Sequence, residues 1–216
     1  MPPLPPPLPP EERPVGQLVA EAIRLYGRRP FASVALGVGP ALVNALARAN
    51  GEWSLVVIPF AAGLAVSTSL VGACLLADAR RQRPLAALAA GALVFIPVPF
   101  LAVLFILPAL VWLGLVGLVV PVLVYEGGGL RDAFVRAFRL AWADYVHVLG
   151  ALATLAIIVF LTQSVLFFLL RGTGDQTLTA ASFIASLVVT PLLFLGVALL
   201  YFDQVARQDR SRVPRR

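Results

Sequence analysis

Side chains able to carry chemistry are few in this chain, and most stand at the edges of long apolar runs. His147, the single histidine, lies beside Asp144 and Tyr145. An ionisable group in a membrane segment marks a proton pathway by default, so a relay is one reading. Its place at the very start of an apolar run favours a head-group contact instead. Glu126 closes another run and could hold a cation or pair with Arg131, although a carboxylate ending a span is the ordinary case. Gly172-Thr173-Gly174-Asp175 has the look of a phosphate loop, but no Lys follows and no strand pattern precedes it, which leaves an outer turn. Gly127, Gly128 and Gly129 open a helical pattern whose free N–H groups, with Arg131 nearby, could hold an anion. A lipid phosphate is the natural candidate at that depth. Cys74 sits in an apolar run and reads as packing.

Other chemistries are excluded by what is missing. One histidine with no catalytic neighbours cannot complete a Ser–His–Asp set. One histidine and one cysteine cannot build a structural zinc site, and no H-E-x-x-H or Walker pattern occurs. The expectation is therefore a non-enzymatic protein with no cofactor, no metal and no catalytic residues.

The elements that must position these residues follow from composition. Of 216 residues 60% are hydrophobic and only 13% charged, about half the charge of a soluble domain at ~25%. All 17 basic residues are arginines, against 11 acidic ones. Residues 31–47, 54–77, 85–125, 145–170 and 178–202 contain no Asp, Glu or Arg. An arginine at mid-membrane costs roughly 2.5–3.5 kcal/mol and a leucine returns only about 0.5, which accounts for this segregation. The run 85–125 would extend about 60 Å as one helix, twice the ~30 Å hydrocarbon core. It divides into two near Pro108, with Pro97 and Pro99 bending the first piece. The fold class is thus an all-α integral membrane bundle of six transmembrane helices, at 31–49, 54–77, 85–107, 109–125, 145–170 and 178–202. They are flanked by two interfacial amphipathic helices.

Arginine placement supports that count. The N-terminal segment, the 78–84 loop, the 126–144 loop and the tail together hold 15 of the 17 arginines; Arg48 and Arg171 hold the alternate loops. The positive-inside rule then puts both termini in the cytoplasm of an inner-membrane protein. No signal peptide is expected, because the opening PPLPPPLPP reads as an extended, disordered tail. The organisation reads as a Pro-rich tail over 1–14, a membrane domain over 15–205 and a basic tail over 206–216. That tail is better matched to anionic lipid than to nucleic acid.

In 130–142, Leu130, Phe134, Phe138 and Ala141 share one helical face, while Arg131, Asp132, Arg136 and Arg139 share another. Such a helix lies in the head-group plane. Residues 15–29 repeat the design, with Val15, Val19, Ala22 and Tyr26 opposite Gln17, Glu21, Arg24 and Arg28. Arg131, Arg136, Arg139, Arg24 and Arg28 are the candidate lipid head-group contacts. The two segments also share letters: Ala22-Ile23-Arg24-Leu25 against Ala137-Phe138-Arg139-Leu140, and Leu75-Leu76-Ala77-Asp78 against Leu199-Leu200-Tyr201-Phe202-Asp203. A parallel repeat of one interfacial helix plus two spans is one reading. Small residues at four-residue spacing (Ala35 and Gly39, Gly63 and Ser67, Ser182, Ser186 and Thr190) permit close helix approach and polar contacts between helices.

Pro108-Ala109-Leu110-Val111-Trp112-Leu113, Pro121 to Glu126-Gly127-Gly128, and Ala133 through Arg136-Ala137-Phe138-Arg139-Leu140 resemble the six-span membrane domain found with glycerophosphoryl diester phosphodiesterases. Leu200-Tyr201-Phe202-Asp203 followed by Arg207 is similar to that domain's closing pattern, while Ala137 stands where the family often has Ser. The resemblance covers roughly 15–210 and implies architecture, since the family's chemistry belongs to a separate soluble barrel with no counterpart in this chain. The leading expectation is engagement of anionic membrane lipids, or of a membrane-protein partner or second copy, through the cytoplasmic face. The alternatives are a transporter or channel for a neutral or lipid-like solute, with kinked spans around Pro40 and Pro191, and the membrane subunit of a lipid-metabolising enzyme.

Overall fold

The computed structural model describes residues 9–49, 54–78 and 83–212. The proline run at 2–8, Arg80, Arg81, Arg215 and Arg216 lie outside them. The described residues form α-helices with no strand: α1 (Val15–Arg28), α2 (Pro30–Ala35), α3 (Val38–Ala49), α4 (Ser54–Ala77), α5 (Pro84–Phe95), α6 (Pro97–Leu104), α7 (Ile106–Val116), α8 (Val119–Tyr125), α9 (Leu130–Ala143), α10 (Tyr145–Leu169) and α11 (Asp175–Arg212). Six stretches are long and apolar enough to cross a membrane: Pro30–Ala47, Val56–Ala77, Pro84–Ala102, Ile106–Tyr125, Tyr145–Leu169 and Gln176–Arg210. This is a multi-pass, all-α membrane bundle.

Prolines mark where helices begin. Pro30, Pro84 and Pro97 each stand at the start of a helix, where the N–H they lack has no acceptor to lose. Pro108 does not make the turn expected of it. The chain reverses at Phe105, whose backbone is extended (φ −162°, ψ 146°), and Pro108 falls in the first turn of α7. A proline there sacrifices no intrahelical bond, so it has no reason to end the helix.

Around α11, as the central element, pack α1, α3, α4, α9 and α10. It runs unbroken to Arg212, so residues 206–212, assigned to a basic tail, are its last turns. A short 3-10 turn, Pro10–Glu12, also packs on it, which draws part of the N-terminal tail segment into the fold. Gly37, between α2 and α3, allows the closest approach: a methyl group there would overlap the Leu187 carbonyl. In the bundle interior, Ser186 Oγ accepts from Asn44 Nδ2 at 2.8 Å and Gln163 Nε2 at 3.0 Å. Ser69 Oγ donates to the Leu36 carbonyl at 2.7 Å. Without water, such pairings satisfy polar groups and tie spans together.

Each of the two helices outside the spans buries one stripe against the bundle. In α9 the packed stripe is Ala133, Ala137, Leu140 and Ala141, against α7, α8 and α11. Leu130 and Phe138, on the apolar side expected to face the membrane, are exposed, as is Trp142. Small alanines let the helix approach the bundle closely, which leaves the bulky side chains on its outer flank. In α1 the buried pair is Leu18 and Ala22. The positions matched by the letters agree: Ala22 and Ala137 are both fully buried, Ile23 and Phe138 both exposed. Each helix also ends on the same unusual backbone, Arg29 at φ −140°, ψ 66° and Asp144 at φ −151°, ψ 73°.

Candidate functional site

Most of the ionisable side chains described here gather at one end of the bundle, in two layers. The outer layer is the face of α1 and α9. Arg28, Arg131 and Arg139 are exposed and have no hydrogen-bond or ion-pair partner among the described residues. Arg24 is exposed and pairs with Glu21 at 2.7 Å, one helical turn away. Arg136 is different. Its Nε donates to Glu126 Oε2 at 2.9 Å and its Nη1 to Gln208 Oε1, while Tyr201 OH donates to Glu126 Oε1 at 2.8 Å. Of the five arginines expected at head groups, Arg136 is thus turned inward to bind α9 to the exit of α8 and to α11. The Glu126–Arg131 pairing does not form; Arg136, ten residues on, takes its place. Partial burial holds the Tyr26 phenol, at the end of α1, above its ordinary pKa,.

Beside the arginines lie exposed apolar side chains: Ile23 on α1, Phe138 and Trp142 on α9. Phe138 stacks on Trp142 at 5.6 Å, and Trp142 meets Tyr145 at 6.1 Å. Aromatic rings at this level, next to unpaired arginines, are the make-up of a membrane–water boundary.

Beneath this surface is an inner layer built on Asp203, which is fully buried. Arg13 Nη1 meets Asp203 Oδ1 at 2.9 Å. Arg207 donates through Nη1 to Asp144 Oδ2 at 2.7 Å and through Nη2 to the Arg13 carbonyl at 2.8 Å. Asp144 has a second task, since its Oδ1 accepts from the His147 N–H at 3.1 Å and caps α10,. His147 is not at the head groups. Its ring is nine-tenths buried and its Nε2 stands 4.0 Å from Asp203 Oδ2. The set links α11, the start of α10 and the segment leading into α1. Two carboxylates face two guanidinium groups, so the fixed charges cancel and burial is tolerable.

Sequence reasoning placed Asp203 just past the last span and Arg13 in a tail. A signal for the cluster was present: Asp203, Gln204, Arg207 and Gln208 recur at i, i+1, i+4 and i+5 and so share one helical face,. Gly127 and Gly128 take positive φ, 73° and 87°, as the chain leaves α8, and Arg83 Nη1 donates to the Gly128 carbonyl at 3.1 Å. Cys74 is buried as expected, and its carbonyl accepts from Tyr125 OH at 2.7 Å. Among the described residues, no group of His, Cys, Asp and Glu side chains is placed to hold a metal ion. Deeper in the bundle an apolar cavity of about 200 Å³ is lined by Val66, Leu70, Phe95, Leu113, Leu152 and Phe194, among others. No protein-family model, curated protein or solved structure matches the chain.

Proposed function

We propose that this multi-pass protein engages anionic lipid head groups through Arg28, Arg131, Arg139 and Arg24, without catalysing a reaction of its own. It does so from the cytoplasmic side of the inner membrane, where the arginine bias would place this end. The observation that carries the reading is that Arg28, Arg131 and Arg139 have no partner among the described residues and stand beside exposed Ile23, Phe138 and Trp142. Arginines serving the fold find partners, as Arg136, Arg13 and Arg207 do. Each arginine at an anionic surface contributes about 1 kcal/mol, so three together amount to roughly 100-fold in lipid affinity. The resemblance of Pro121 to Glu126-Gly127-Gly128 and of Ala133 through Leu140 to the membrane domain found with glycerophosphoryl diester phosphodiesterases is in keeping with a role at lipid.

The test is native mass spectrometry of the Arg28→Gln/Arg131→Gln/Arg139→Gln protein purified from membranes of mixed lipid. Retention of anionic lipid should fall toward that of zwitterionic lipid. Equal retention by the variant and the parent would remove the proposal. The apolar cavity favours a second reading, passage of a neutral or lipid-like solute. Cysteines introduced at Val66 and Leu113 should then react with small maleimides, and complete shielding would count against it.

A further inference from the structure

We infer that α6 and α7 form a re-entrant hairpin, which dips into the lipid and returns without reaching the opposite face. The inference rests on packing and composition and is independent of the head-group proposal.

The first observation is a change of direction in the fourth apolar stretch. Tyr125 stands at the polar end, its ring 5.1 Å from that of Tyr201. The start of α10 is at the same end, since His147 faces Asp203, two residues further along α11. A straight helix leading back from Tyr125 to Gly114 would descend about 16 Å over eleven residues. Gly114 instead lies against the first residue of α10: a Cβ on it would sit 3.2 Å from Tyr145 Cε2. Accordingly α7 packs against α9 and α10. The chain turns between α7 and α8, at Gly117 and Leu118 (φ −82°, ψ 0°). A side chain on Gly117 would overlap the Leu113 carbonyl, so only glycine fits the turn.

The second observation is length. From Gly114 the tip at Phe105 is nine residues away, about 14 Å along a helix, or roughly 20 Å with the reach of the Tyr145 side chain added; the longer limb Pro84–Leu104 then bends at Pro97, where α5 gives way to α6,. The core is ~30 Å thick. By contrast, α10 has 25 residues, about 37 Å, which is ample for a crossing.

The third is composition. From Pro84 to Val124 the chain contains no charged residue and no Ser, Thr, Asn or Gln. At the tip Phe105, Ile106 and Leu107 are 70, 69 and 72% exposed. In water three such side chains would forfeit several kcal/mol of burial, so acyl chains are their surroundings. The loop after α10 differs, carrying Arg171, Thr173 and Asp175. At the tip Phe105 N–H donates to the Leu101 carbonyl at 2.9 Å.

Single cysteines at Ile106 and Leu107, in a Cys74→Ala background and reconstituted in vesicles, test this. Arg139→Cys and Thr173→Cys serve as controls for the two faces. An impermeant maleimide should label 139 and 173 from opposite sides and leave 106 and 107 unlabelled from both until the protein is denatured. A fluorophore attached at 106 should be quenched most by lipids brominated deep in the chain. Labelling of 106 or 107 from the side that labels 173, or strongest quenching at head-group depth, would overturn the inference.

Discussion

Arg13 and Asp203 lie 190 positions apart in sequence and 2.9 Å apart in space, and their union can be tested by separating them. Asp203→Leu keeps the branching of the original side chain, two methyl groups replacing the carboxylate oxygens, and removes the charge. It leaves the Arg13 guanidinium, 13% exposed, facing a site that is fully buried. Breaking a buried pair by deleting one partner costs about 3–5 kcal/mol. Residual exposure of Arg13 admits some solvent, which puts the cost near the lower end, ~3 kcal/mol. The loss falls first on the segment that Arg13 anchors, since the 3-10 turn and α1 pack on α11. Hydrogen exchange of the α1 amides should then quicken by roughly 100-fold through local opening. The double variant Arg13→Met/Asp203→Leu removes both charges and should recover most of that protection. Exchange that is unchanged in the single variant, or equally fast in single and double, would show that the pair is not what holds α1 in place.

Further outcomes follow from other contacts. Gly37→Ala should lower the thermal midpoint, because its methyl group collides with the Leu187 backbone and overpacking costs about 1–3 kcal/mol. Ser186→Ala takes the acceptor from Asn44 and Gln163 and should cost ~1 kcal/mol in an unfolding titration in mixed micelles. Arg136→Gln and Arg139→Gln should separate two roles. The first loosens the Glu126 and Gln208 contacts, costing up to about 1 kcal/mol with anionic lipid retention unchanged, and the second weakens retention with stability unchanged.

The membrane architecture was legible because solvation cost is written into composition. An arginine that cannot enter lipid must stand between the spans, so the apolar stretches could be read directly. The same rule hid the inner site. Ending the sixth span at the first charge put Asp203 outside, whereas a carboxylate with Arg13 beside it can be buried with α11 running on to Arg212. Nothing local in the sequence pairs position 13 with position 203. The α9 face was half legible: periodicity found an amphipathic helix with Leu130 and Phe138 on its apolar side, but not that alanines make the contact with the bundle. Pro108 was read as a breaker, although in a first turn it breaks nothing. The likeness of Ala22-Ile23-Arg24-Leu25 to Ala137-Phe138-Arg139-Leu140 extends to burial and to the kinks at Arg29 and Asp144.

The long final helix imposes an order on biogenesis. Ribosomes add about 5–20 residues per second, so with 190 positions between Arg13 and Asp203 the first arginine waits roughly 10–40 s for its carboxylate. The nascent protein must pass that interval with its opening helix undocked, held near the bilayer surface by its own apolar side chains. Within this stretch assembly therefore closes backwards, α11 locking a segment made 190 positions earlier.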